Sequence, residues 1–263
     1  RQTGMVGVVS TANSLVGGTT NDQVGTGVTA LTNGNYVVRS SSWDNPSPVI
    51  TDVGAVTWGN GASGTVGVVS AANSLVGSAL NNFVGNGGVT PLPNGNYVVR
   101  SSNWDNPSPA AADVGAVTWG NGAGGTVGLI SASNSLIGGT ASDAVGSFGA
   151  TALTNGNYVV SSPNWDNPSP MTVNVGAATW GNGASGTVGV VSTANSLVGG
   201  TTNDQVGSNR VTALTNGNYV VSSPNWDNPS PVIANVGAAT WGNGAGGTVG
   251  VVSTANSLVG GTT

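Results

Sequence analysis

The sequence predicts an all-β chain built from tandem copies of one unit, and three observations carry that prediction. Trp43, Trp104, Trp165 and Trp226 stand 61 residues apart, and so do Trp58, Trp119, Trp180 and Trp241. Glycine, 45 of 263 residues, and short β-branched runs fill the chain. No stretch repeats its apolar residues at the three-four spacing of an amphipathic helix. A period of this length marks a repeat architecture. The segment TVGVVSTANSLVGG, present at 187–200 and again at 248–261, shows that the copies have diverged little. A single active site is therefore not expected; whatever the unit does, the array does several times.

The unit at 146–206 shows the elements in order. ATAL (150–153) and YVVSS (158–162) flank Asn155-Gly156, a dipeptide that supplies the positive backbone angles of a tight turn, so the pair reads as a β-hairpin. Pro163, Pro168 and Pro170 mark PNWDNPSPMTVN as a loop, because proline cannot donate to a sheet ladder. GAATW (176–180) reads as a third strand, GNGASG (181–186) as a glycine turn, and TVGVVS (187–192), rich in valine, as a fourth strand. NSLVGG then turns into the next unit, with its Asn closing the turn and its Leu and Val entering the core.

Four antiparallel strands joined by loops of unequal length describe a propeller blade better than a solenoid coil, whose turns would be near-uniform. The expected fold is thus an all-β β-propeller of four 61-residue, four-stranded blades, with a β-solenoid as the competing architecture. Residues 1–263 form one array, with units near 25–84, 85–145, 146–206 and 207–263, and 1–24 a partial unit repeating the C-terminal strands. An exposed terminal strand invites pairing with another molecule, so self-association through the terminal strands is expected.

Composition narrows the function. The chain has four Arg, nine Asp and neither Lys, Glu, His nor Cys. A net charge of −5 without a basic stripe leaves nucleic acid no electrostatic footprint. Without Cys and His there are no disulfides, no thiolate sites and no usual general base, and neither a metal nor a cofactor is expected. No apolar run reaches the roughly 20 residues that span a bilayer, and no signal peptide stands at Arg1. A surface of Ser, Thr and Asn suits an extracellular or cell-surface protein of a bacterium. Acid-base catalysis would rest on Asp alone. Asp44 and Asp52 invite a paired-carboxylate reading, but Asn174 and Asn235 hold the place of Asp52 in later copies, so an enzyme is not expected.

The run from 13 to 60 resembles the FG-GAP-type blade of integrin-α-like propellers: Val24-Gly25 stands where that family has Phe-Gly, followed by Asn33-Gly34, Tyr36-Val37-Val38 and Gly54-Ala55-Val56. Over the whole chain, the recurrence of NGNYVV, WDN and GAVTWGNG resembles tandem repeats of unknown function in large secreted, filamentous-haemagglutinin-like bacterial proteins. The calcium loop that the first resemblance implies is not carried over, because LTNGN and LPNGN hold no carboxylate, and calcium takes several charged oxygens.

The candidate ligand-binding residues are the four WDN triplets: Trp43, Asp44, Asn45; Trp104, Asp105, Asn106; Trp165, Asp166, Asn167; and Trp226, Asp227, Asn228. An aromatic face beside an acid and an amide can hold a sugar, the ring on its C–H groups and the polar pair on its hydroxyls. The competing, preferred reading packs each Trp between units while Asp and Asn tie the loop by local bonds ahead of proline. The second Trp series, in TWGNG, reads as packing. The leading expectation is a non-catalytic extracellular repeat protein that forms a surface assembly, filament or adhesin; the alternative is a multivalent carbohydrate-binding propeller with glycans as partners. Exposure of the WDN tryptophans discriminates the two.

Overall fold

The computed structural model describes residues 7–261; the first six residues of the expected partial unit lie outside them. Every regular element among the described residues is a strand. The second unit shows the pattern: Gly88–Pro91, Tyr97–Ser101, Ala116–Gly120 and Ser135–Ile137 lie side by side, each antiparallel to the next. The two-residue strand Gly189–Val190 of the following unit then adds in parallel to Leu136–Ile137. The same crossover places Gly128–Leu129 on the first sheet and Gly250–Val251 on the third. At the head, Leu15–Val16 pairs in parallel with Gly67–Val68.

The fourth strand is thus not where the sequence places it. TVGVVS contributes only two residues, Gly189 and Val190, the strand starting at Gly189 with φ +98. The closing strand of the sheet is Ser196–Val198, from the motif read as a turn. Its preceding Asn does close a turn: Asn195 Oδ1 accepts Ser192 N at 2.8 Å and its Nδ2 donates to the Val190 carbonyl at 2.9 Å. The proline loop carries a small hairpin, Asn167–Pro168 against Met171–Thr172.

Alternation along each strand feeds two faces. Val98, Val117 and Leu136 of the second sheet pack against Tyr158, Val160 and Trp165 of the third, whereas Tyr97 and Val99 face Val37, Val56 and Leu75 of the first. The core therefore lies between consecutive sheets, and interior units bury both faces. Among the described residues, strand pairings and hydrogen bonds between units join sequence neighbours only. Tyrosine and glycine meet across the sheet: Tyr97 pairs with Gly120, where a Cβ would lie 2.1 Å from the ring. That explains a glycine after every TW.

Candidate functional site

The WDN loop is held from both ends. Trp104 N donates to the Ser101 carbonyl and Gly115 N to the Trp104 carbonyl, at 3.1 and 3.0 Å. Between them, Asp105 Oδ1 accepts the Asp113 N–H at 2.7 Å, and Asn106 Oδ1 accepts Ser108 N at 3.2 Å ahead of a cis Ser108–Pro109 peptide. The other copies repeat this: Asp44, Asp166 and Asp227 accept Asp52 N, Asn174 N and Asn235 N, at 2.8, 2.7 and 2.6 Å. Asn45, Asn167 and Asn228 accept Ser47 N, Ser169 N and Ser230 N. Asp52, Asp113, Asn174 and Asn235 all take φ of 50 to 53, the left-handed region that Asp and Asn tolerate. The exchange of Asp for Asn at that position follows from backbone geometry.

The four indoles do not line the surface. Trp43, Trp104, Trp165 and Trp226 are 0–1% exposed, and Trp104, Trp165 and Trp226 belong to the cores between sheets. An open depression of about 380 Å³ does border the loop, lined by Ala79, Asp105, Asn106, Pro107 and Ala110 among others, without the ring.

A buried carboxylate braces the loop from behind, and sequence reasoning missed it. Asp204 Oδ2 accepts Gly200 N and Thr201 N at 2.7 and 2.8 Å; its Oδ1 accepts Thr201 Oγ1 at 2.6 Å and Asp227 N at 3.0 Å. Asp22 and Asp143 repeat the arrangement toward Asp44 and Asp166. The signal was present as Thr-x-x-Asp after glycine. At Asp22, burial pushes the carboxyl up but hydrogen bonds from Thr19, Asp44 and Gly18 outweigh it, leaving it below its usual range; at Asp143 burial prevails and raises it. Asn82 stands in the second copy with Ala79 for Thr; it accepts from Ser78 N and Ala79 N alone, and its Nδ2 is buried without a partner.

The second Trp series builds the joint between units. Trp58 Nε1, Asn33 Nδ2 and Asn35 Nδ2 all donate to the carbonyl of Gly122 in the next unit, at 2.9, 2.8 and 2.9 Å. Trp119, Asn94 and Asn96 converge likewise on the Gly183 carbonyl, and Trp180, Asn155 and Asn157 on that of Gly244. Each ring also lies on a glycine of the next turn: a Cβ at Gly125, Gly186 or Gly247 would stand 2.7 Å from the Cβ of Trp58, Trp119 or Trp180. The Asn of the NG turn therefore serves the joint, while only its glycine takes positive φ, 87° at Gly34.

One arginine reaches across the first joint and one across the second. Arg39 and Arg100 donate Nη1 to the carbonyls of Gly85 and Gly146, at 3.2 and 3.1 Å, and each Nε is buried without a partner. Burial, with Arg39 nearby, lowers the Arg100 pKa. Among the described residues no three His, Cys, Asp or Glu gather as a metal-holding group.

Fold and joint together define a tandem all-β repeat protein whose units are coupled by shared cores, a parallel strand crossing and a recurring side-chain contact. The chain belongs to the family described as a repeat of unknown function (DUF5650), which matches 1–26, 30–86, 91–147, 152–208 and 213–263. No curated protein matches the chain.

Proposed function

We propose that the chain is a non-catalytic structural repeat protein of the cell exterior, forming a surface layer, filament or adhesive stalk, in keeping with its resemblance to repeats of large secreted bacterial proteins. The observation that carries the reading is the use of the chemistry-bearing side chains. The WDN aspartates spend an oxygen on a backbone N–H eight residues on, the WDN rings fill the cores, and the TWGNG rings couple units. Such groups stiffen an array and leave little for a ligand. The low count of Arg and the absence of Lys also suit a durable, protease-resistant material.

The multivalent lectin reading keeps one observation, the open depression beside Asp105 and Asn106. A glycan array separates the two: the scaffold reading expects no binding. Binding that disappears when Asn106 is changed to Ala, with unfolding unchanged, would overturn it in favour of the lectin.

A further inference from the structure

The outer faces of the first and fourth units carry the two halves of the internal joint. On the outer face of the fourth unit, Asn216, Asn218 and Trp241 repeat the three-donor set, and among the described residues none of their side-chain N–H groups meets an acceptor. Trp241 is 54% exposed, and Leu258 is 82% exposed where Leu75, Leu136 and Leu197 are at 1%. With Val220 and Ala239 they line a depression of about 330 Å³. On the outer face of the first unit, Gly61 holds the place of Gly122, Gly183 and Gly244, but its carbonyl accepts from nothing among the described residues and it is exposed where they are buried. Gly64 holds the place of Gly125, and a Cβ there would meet nothing within 4 Å. Val28, the counterpart of Val89, which packs on the core between the first and second sheets, is 65% exposed.

We propose that a second copy of this chain docks head to tail on the first, Asn216, Asn218 and Trp241 of one copy donating to the Gly61 carbonyl of the next while the Trp241 ring covers Gly64. The geometry is not new to the molecule, since three internal joints already have it. The occupant follows from continuity with those joints: a face shaped for the GNG turn of this unit is filled by another such turn. Leu15–Val16 of one copy and Leu258–Val259 of the other are copies of the same strand and answer to one slot. Leu15–Val16 keeps it, being paired with Gly67–Val68 and continuous with Asp22, which holds Asp44 N. Leu258–Val259 gives up its two-residue pairing with Ala238–Ala239. Because the two faces differ, the contact is heterologous, and it propagates into a row or closes into a ring according to the rotation per unit.

The inference rests on the scaffold reading and names its partner. Sedimentation velocity of the purified 263-residue chain over a concentration series tests it. Wild type is expected to form species larger than one chain. Trp241→Ala is expected to weaken association about 30-fold or more, the loss of a central tryptophan anchor. Gly64→Asn blocks the other face, with Asn chosen because it tolerates the φ of +76 at a site with open space. Each variant retains the face the other lacks, so a 1:1 mixture of two monomeric variants is expected to form dimers and nothing longer. A monomeric wild type, a Trp241→Ala chain that assembles as wild type does, or a mixture that stays monomeric overturns the joint. Assembly that ignores both substitutions leaves the scaffold reading standing with a different contact, whereas glycan binding removes that reading whatever the joint does.

Discussion

Trp119 and Trp241 occupy the same place in the second and fourth units, and one substitution in two settings measures what a joint is worth. Burying a whole tryptophan makes its loss to alanine cost about 3–5 kcal/mol. Trp119 is half-buried, so about 2 kcal/mol is expected from lost packing, and its Nε1 bond to the Gly183 carbonyl, at 2.9 Å, adds about 1 kcal/mol. Trp119→Ala should therefore cost about 3 kcal/mol, the sum of those packing and hydrogen-bond contributions. Trp119→Phe keeps most of the packing, and the carbonyl keeps its donors Asn94 and Asn96, so about 1 kcal/mol is expected. Trp241, 54% exposed and without an acceptor, should cost under about 1 kcal/mol in the monomer. Urea unfolding followed by far-UV circular dichroism, at a concentration where the chain is monomeric, reads all three. Because Trp119 lies at the central joint, its alanine variant should also split the transition, the two halves of the array losing their coupling. Equal losses at 119 and 241 would refute the claim that the ring works through the next unit.

Gly115→Ala places a Cβ 2.3 Å from the Val145 backbone nitrogen at φ +73, and should cost about 3 kcal/mol or more by urea midpoint, whereas Gly64→Ala, at φ +76 in open space, should cost only the left-handed strain of about 1–2 kcal/mol. Asp52→Asn should leave stability within about 0.5 kcal/mol, because Asn174 and Asn235 already take the same φ, while Asp52→Val should lose about 1–2 kcal/mol at that left-handed position. Burial pushes Tyr97 and Tyr158 up to about 12 from an ordinary value of 10.0. Since their folded pKa is raised, the stability they lend is complete below pH 10 and is lost as the pH climbs toward 12, so the 295 nm phenolate absorbance of these two should rise late and together with unfolding.

What the sequence made legible was local. The NG dipeptide marks its hairpin because glycine alone takes the angle the turn needs, and the prolines mark the loop because they cannot join a ladder. The closing strand was hidden: Ser196–Val198 is too short to show alternation and sits among residues that favour turns. TVGVVS misled in the opposite sense, since its valines read as a six-residue strand while only Gly189–Val190 pairs, on the sheet of the preceding unit. The WDN residues were legible as a recurring cluster, but their role depends on which face of the loop meets the neighbouring sheet. Least legible was the joint, because the acceptor for Asn33 and Trp58 is a backbone carbonyl 89 and 64 residues away. A carbonyl has no signature in a sequence.

The pattern of variation among the copies fits the joint. The residues that make the contact, Asn33, Asn35, Trp58, Gly61 and Gly64, recur without change in all four units. Where the loop tip meets solvent the copies diverge, from Val49-Ile50-Thr51 to Ala110-Ala111-Ala112 to Met171-Thr172-Val173, and Met171 is 63% exposed. Arg39 and Arg100 give way to Ser161 and Ser222 without disturbing the strand they sit on. A unit in such an array must match its predecessor with one face and its successor with the other, so a change in either half of the joint is tolerated only if the facing half changes too. Identity at the contact is thus required by the translation from one unit to the next, whereas the loop tips lie outside that contact. The same constraint applies to Trp241 in the fourth unit and Gly61 in the first, which are the two halves of the joint proposed between copies.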